Sequence, residues 1–408
     1  MFGRALDVLH KNAVEKGLRT SAAYYNQIWA RDAFISFLGA NLIGDPRLMR
    51  CAKTTVSTFA KTASPMGQIA NFYDLVTDGP EYGYSGSTDS TCWYIIGLAS
   101  LYRATEDRAL LEEPLDAAVA AFKWLRYQDA NNSWLIDSPP GADWMDASVQ
   151  RAGKTLYNNS LFLIAAHSMA LLLSASRLSI AKPYWIDPSE LKKRFNDVFL
   201  PEFESPARIA AYWPRLSGAF RGAKPLNFSQ SYYLHYVSFS RVDIHFDALS
   251  NLLCILSGLA STETSLSILA NMSSRRLSKP YPTRCLDPPY RGEGVSFDRA
   301  FDSSLPVQHR SSPYAYHNGA VWPFIGGLHV AALSKMGIDY ASTELESLAR
   351  ADSLCRKDEK IGFNEWIHGK TGEPLGQFGQ SWSAGMLIGA VQASRGKHVL
   401  GFLSEQNA

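Results

Sequence analysis

What most limits this chain is a succession of about twelve helical runs, grouped in pairs, with long loops between the pairs. In residues 2–16 apolar side chains recur at helical spacing, as Leu6, Leu9 and Ala13. Further runs span 29–43, 46–62, 88–104, 110–127, 156–177, 188–199, 246–259, 262–274, 319–335, 340–356 and 382–394. Gly44-Asp45-Pro46 stops one run and starts the next, with Asp45 as N-cap and Pro46 in the first helical position. The loops 64–87 and 278–316 are long, and such loops usually serve function. Residues 131–144 read as a short strand and loop. From 209 to 243, Pro, Gly and aromatic residues alternate, which predicts a hairpin or extended insertion at about 200–243.

Twelve helices in six hairpins predict an all-α fold, an (α/α)6 toroid with inner helices ringed by outer ones. The long loops then gather at one rim and build a cleft. A single domain over residues 1–408 is expected, carrying the small insertion.

Of the 408 residues, 46% are apolar and 19% charged, enough for a large core. The net charge of +2 exerts no strong pull towards nucleic acid or an anionic membrane, so neither is expected as a partner. No uninterrupted apolar run reaches the length of a membrane span, and the N-terminus looks like an amphipathic helix, not a signal peptide. Five scattered cysteines (Cys51, Cys92, Cys254, Cys285, Cys355) fit reduced thiols and a cytoplasmic location. There is no phosphate-binding loop, no HExxH, no metal-like His/Cys spacing and no GxSxG elbow, so neither cofactor nor metal is expected.

What remains is a repeated pairing of indole and polar side chains. Trp29-Ala30-Arg31-Asp32 opens the second run, and Ser87 to Trp93, which includes Asp89, opens the fourth. Tyr316-His317-Asn318-Gly319 with Trp322 opens the tenth, and Gln380 with Trp382 opens the last. Indole faces pack on the C–H face of a sugar while polar groups bind its hydroxyls. Each cluster alone reads as an ordinary helix start with an acid on the macrodipole. The helix starts at 29, 87 and 316 and the two carboxylate loops, at Trp144 and at Trp366 to Trp382, make five in one chain, which favours a carbohydrate cleft.

Two carboxylates complete the set. Asp146 is crowded by Trp144 and Met145, which desolvates it and raises its pKa. Glu365, beside Trp366 in a loop with Gly369, Gly372, Gly376 and Gly379, is expected to stay ionised. Glycosidic cleavage needs such a pair, one as acid and one to activate water or attack carbon. Asp143 is the rival acid. As a helix cap, Asp146 would stand too far ahead of the next run, which begins roughly ten residues later.

The motifs WARDAF (29–34), STDSTCW (87–93), DWMDA (143–147) with RAGK (151–154), YHNGAVWP (316–323) and NEW…G…QSWSAG (364–385) resemble the amylo-α-1,6-glucosidase catalytic domain of glycogen-debranching enzymes. They are also similar to the related (α/α)6 clan of glucoamylases, family 63 α-glucosidases and alkaline/neutral invertases. The resemblance implies Asp146 as general acid and Glu365 as general base of an inverting reaction on an α-glucoside. It implies that Arg31 and Asp32 grip the sugar. It adds Asp89, Trp144, Lys154, His317, Trp322, Gln380 and Trp382 as substrate-binding positions, beside the indoles Trp29 and Trp93 of the helix-start clusters. The implied partner is an oligosaccharide or polysaccharide, most simply an α-1,6 branch glucose. The alternatives are sucrose hydrolysis and an inactive carbohydrate-binding protein, which would need neither carboxylate. The YHNG run looks like the invertases and the Asp146 segment like the debranching group. Asn158 and Asn159 stand where the family commonly has an acidic residue. These 408 residues show no counterpart of the N-terminal β-rich domain usual in debranching enzymes.

Overall fold

Two kinds of helix alternate along the chain, and their side chains explain why. The computed structural model describes residues 1–83, 87–176, 178–200, 232–238, 242–291, 297, 299–306, 309–356 and 359–403. Six described helices are amphipathic: α1 (Phe2–Asn12), α3 (Pro46–Lys61), α5 (Glu112–Arg126), α7 (Pro188–Phe199), α9 (Thr262–Ser274) and α12 (Ala341–Ser353). In α3 only Leu48, Cys51, Ala52, Thr55, Val56 and Phe59 are buried, one stripe of a helix with solvent on its other side.

The other long helices are α2 (Ala30–Ala40), α4 (Thr88–Thr105), α6 (Leu156–Ser174), α8 (Ala248–Leu256), α11 (Pro323–Lys335) and α13 (Ser381–Ala393). Every residue of α2 and of α8 is buried, as expected of helices surrounded by protein. These six form a closed ring: α2 packs on α4, α4 on α6, α6 on α8, α8 on α11, α11 on α13, and α13 back on α2. The amphipathic helices lie against them and alternate with them along the chain.

All twelve expected helices are present, most of them trimmed by a turn or less. The first ends early, at Asn12, because Ala13–Val14 pairs with Gly17–Leu18 as a tiny hairpin. The tenth starts at Pro323 and not at 319, since Val321 pairs with Ile367. Asp45 caps α3 as expected, accepting from the amides of Arg47 and Leu48. Helix α10 (Arg299–Ser304) is an unexpected short element inside the loop after α9. Residues 131–144 form no strand; Ser138 makes only an isolated bridge to Gly153. The insertion at about 200–243 lies mostly outside the described residues. Its described parts supply Tyr236–Val237 and Val242–Asp243, which form a small sheet with Lys154–Thr155.

Helix α6 has the length and apolarity of a membrane span despite its polar interruptions, but 78% of its most apolar window is buried inside the protein. Its place in the ring accounts for its composition.

Short strands tie down the loops that enter the inner helices. Gln27–Trp29, Phe72–Asp74 and Gly79–Glu81 form one sheet before α2, and Trp366–Ile367 pairs with Pro374–Leu375 before α13. Rigid backbone therefore surrounds the N-terminal ends of the inner helices.

The inner helices α2 and α13 approach each other very closely. A Cβ on Gly39 would stand 1.9 Å from the Gly385 carbonyl oxygen and 2.8 Å from the Gly389 nitrogen. Neither backbone can yield without parting the helices. Gly39→Ala is expected to cost about 2 kcal/mol or more. An unchanged melting temperature would show that the ring tolerates a wider spacing here.

Candidate active site

A pocket of about 380 Å³ opens at the N-terminal ends of the inner helices. It is lined by Thr20, Tyr25, Trp29, Arg31, Asp32, Trp144, Asp146, Tyr316, His317, Trp322, Glu365 and Trp382. Residues more than three hundred positions apart meet because each comes from a helix start or from the loop before one.

Arg31 lies at the base of this arrangement. Its guanidinium reaches Asp89 at 3.2 Å, Asp32 at 3.5 Å and Asp146 at 3.7 Å. Burial works against its charge, but the three carboxylates hold its pKa above the ordinary value. One cation shared among three acids leaves the acids under-compensated. Burial raises Asp32 to about 6, opposed by Arg31 and by the Thr20 hydroxyl, which donates to it at 3.0 Å. Burial raises Asp146 to about 7, with Arg31 opposing and Asp89, Asp143 and Asp32 adding to the rise. Asp146 therefore holds a proton near neutral pH.

Glu365 departs from the expectation that it stays readily ionised. Burial raises it to about 7 as well. The glycine-rich loop does not leave it in water; it folds over it. Gly376 has φ +68, and a Cβ there would lie 2.7 Å from Glu365 Oε2, so the loop can close only with glycine. The two acids differ in their partners. Glu365 Oε1 accepts from the Tyr25 hydroxyl at 3.2 Å and Oε2 from the Gln377 amide at 3.0 Å. Both donors favour the ionised form. Asp146 has no hydrogen-bond partner among the described residues, and its side chain is 27% exposed, towards the pocket.

The walls are aromatic. Trp144 meets His317 and Trp322 edge-on at 5.1 and 5.4 Å, while Tyr316 stacks on His317 at 4.1 Å. Burial keeps His317 neutral. The indole nitrogens of Trp29, Trp144 and Trp382, His317 Nδ1 and Asp32 Oδ1 are buried without a hydrogen-bond partner among the described residues. Orphaned polar atoms around one pocket suit a ligand bearing many hydroxyls.

Four expected binding positions do not line the pocket. Asp89 is fully buried behind Arg31, where it also accepts from Tyr157 at 3.3 Å. Trp93 donates to that same Tyr157 hydroxyl at 2.9 Å from within the core. The Lys154 ammonium is held at 2.7 Å by both Asp137 and the Leu135 carbonyl, bracing the loop before α6. Gln380 is buried at the N-cap of α13. The rival acid Asp143 is occupied by a two-pronged contact with Arg151 at 2.8 and 3.0 Å. Sequence reading missed Thr20 and Tyr25, which sit in a polar turn with no pattern. Tyr316 stood within a recognised cluster but was given no role.

The family model for amylo-alpha-1,6-glucosidase matches residues 5–389 of this chain. The chain belongs to the amylo-α-1,6-glucosidase family. A probable alkaline/neutral invertase F of Arabidopsis thaliana is 24% identical over 353 residues, 78% of this chain and 66% of that protein. Cytosolic invertase 1 of Oryza sativa subsp. japonica is 28% identical over 365 residues, 79% of this chain and 59% of its own length. This chain thus spans less than two thirds of either plant protein. A GH63 mannosylglycerate hydrolase from Thermus thermophilus, solved in complex with glucose, superposes with a TM-score of 0.62 at 14% identity, covering 95% of this chain and 98% of that one. The family match, the invertase relatives and this neighbour place the amylo-α-1,6-glucosidase relative in the six-hairpin glycosidase clan, a glycoside hydrolase superfamily.

The raised pKa of Asp146 carries a stability cost with a definite sign. The unfolded acid ionises near 4, whereas the folded one holds its proton to about 7. Stability present at acid pH is therefore lost as pH rises through that window. Asp146→Asn removes the loss, so its stability relative to wild type should be greater at pH 8 than at pH 5 by on the order of 2 kcal/mol. Equal offsets by calorimetry at both pH values would mean that Asp146 titrates as an ordinary surface acid.

Proposed function

We propose that this protein is an inverting glycoside hydrolase that removes a terminal α-linked glucose, with an α-1,6 branch point as its preferred target. The ring of six inner helices, with an outer helix before each, is read as the (α/α)6 toroid of a single catalytic domain. What carries the proposal is that Asp146 and Glu365 line one indole-walled pocket with opposite hydrogen-bond surroundings.

In the proposed reaction the Asp146 carboxyl donates its proton to the glycosidic oxygen as the C1–O bond breaks. Glu365 takes a proton from a water molecule whose oxygen forms the new bond to C1. The products are free glucose and the shortened alcohol. Asp146 ends ionised, Glu365 ends protonated, and solvent exchange restores the starting state. Tyr25 and the Gln377 amide hold Glu365 in its basic form. Arg31 and Asp32 would bind adjacent sugar hydroxyls, with Trp29, Trp144, His317, Trp322 and Trp382 as walls. Asp89, Trp93, Lys154 and Gln380 support these groups from behind. A cytoplasmic location is proposed from five free cysteines and a rice relative named as cytosolic.

A second reading, sucrose hydrolysis, is favoured by the two invertase relatives, whose matches span more than three quarters of this chain. Isomaltose, panose, limit dextrin, sucrose and trehalose separate the two. The α-1,6 reading expects turnover of the first three, with β-glucose as the first anomer seen by NMR. Preference for sucrose would replace the substrate, and release of α-glucose would replace the inverting mechanism.

Asp146→Asn and Glu365→Gln should each lower kcat at least about 100-fold with melting curves still cooperative. Near-normal turnover in either would reject that assignment. Because the active state carries one proton on the pair, kcat/KM should trace a bell whose limbs straddle pH 7 as a property of the pair. Trp29→Ala should raise KM more than it lowers the melting temperature, and an unchanged KM would remove it from the sugar site.

A further inference from the structure

The turn that carries Asp146 has no regular secondary structure, yet a general acid must be held to within a fraction of an ångström. What holds it is a buried ionic junction. Arg151 is 1% exposed and grips Asp143 with two prongs, Nε at 2.8 Å and NH2 at 3.0 Å. Its remaining nitrogen, NH1, reaches Asp247 at 2.7 Å. Asp247 is the N-cap of α8, accepting from the Ser250 amide and hydroxyl, and the His235 ring lies 3.3 Å from it. The guanidinium also lies over the ring of Tyr157 in α6, at 5.3 Å. Asp143 in turn accepts from the Met145 amide at 2.8 Å, one residue before Asp146.

We propose that Arg151 is the positioning residue of the proton donor, tying the Asp143–Asp146 turn to the inner helices α6 and α8 so that the Asp146 carboxyl meets the leaving oxygen. Lysine would keep the charge but could not span two carboxylates in three directions. The junction also compensates part of the Asp143 charge, the remainder of which still raises Asp146. Asp146 is faced by Arg31, Asp32, Asp89 and Asp143, by Glu365 across the pocket, and by the hydroxyls of Tyr25 and Tyr316. Among these, Asp143 is the one whose compensation belongs to Arg151.

This inference rests on Asp146 being the general acid, and the test separates the two. Wild type, Arg151→Lys and Asp146→Asn are assayed on the best substrate of the sugar panel and on α-glucosyl fluoride. Fluoride leaves without needing a proton. Asp146→Asn should lose the glycoside reaction and keep most of the fluoride reaction; if it keeps both, the general-acid reading falls. Given that split, Arg151→Lys should lose about 10- to 100-fold on the glycoside while its fluoride rate changes by less than about 3-fold. Parallel loss on both substrates would make Arg151 a merely structural residue and overturn the proposal. Should Arg151→Lys fail to fold, Asp143→Asn serves instead, because it keeps an acceptor for the Met145 amide while removing a charge that opposes ionisation of Asp146. The alkaline limb of its kcat/KM profile should move down by on the order of half a pH unit. The glycoside rate of Asp143→Asn should also fall more than its fluoride rate, and parallel loss on both substrates would likewise overturn the proposal.

Discussion

Three carboxylates leaning on one guanidinium set the character of this molecule's centre. Arg31 offers its charge to Asp89, Asp32 and Asp146 at once, all within 4 Å. Burial would make a lone arginine untenable here, and it would make three ionised acids more so. Together they are tolerable only if protons remain on some of the acids near neutrality. The helix ends help, since Asp32 and Asp89 lie in the first turns of α2 and α4, at the positive end of each dipole. The ring architecture thus solves an electrostatic problem that it also creates. It gathers the N-termini of its inner helices around one pocket and draws negative charge there.

The same centre shows what was legible in the sequence. Helix starts bearing Trp near a polar side chain could be recognised because cap positions have their own residue preferences, and the periodic runs behind them marked the helices. Trp29, Arg31, Asp32, Trp322 and Trp382 were visible this way. Thr20 and Tyr25 were not, since they come from an irregular turn whose place is set by the bridge from Ser21 to Tyr25 and by contacts hundreds of residues away. Lys154 illustrates the opposite error. A lysine in a motif looks like a ligand for substrate, but whether it faces the pocket or Asp137 depends on how the 129–137 loop returns, and that is a tertiary fact. Glu365 fails for a related reason. Glycines imply exposure when read locally, whereas in the fold they let Gly376 press backbone onto the carboxylate.

The walls of the pocket point to the chemistry of its occupant. Core tryptophans normally find a partner for their N–H, as Trp93 does with Tyr157 and Trp322 with the Tyr316 carbonyl. Trp29, Trp144 and Trp382 do not among the described residues, and all three line the pocket. In an apolar pocket these donors would be a standing penalty, whereas against a sugar they become contacts. Stability and function therefore pull against each other at the same atoms.

The near equality of the two raised acids bears on how acid and base roles are divided. Desolvation alone cannot assign them, for it lifts Asp146 and Glu365 to a similar level. Each also feels the charge of neighbouring acids, so losing the first proton makes the second harder to lose. The pair then passes through a broad range in which it holds one proton between them. Where that proton resides is settled by the surroundings. Tyr25 and the Gln377 amide present donors to Glu365 and would be left facing a hydroxyl if it were protonated, while Asp146 has no such donor among the described residues. The loop that buries Glu365 thus also supplies, with Tyr25, the hydrogen bonds that keep it a base, and division of labour between two acids raised to a similar level is written in their partners.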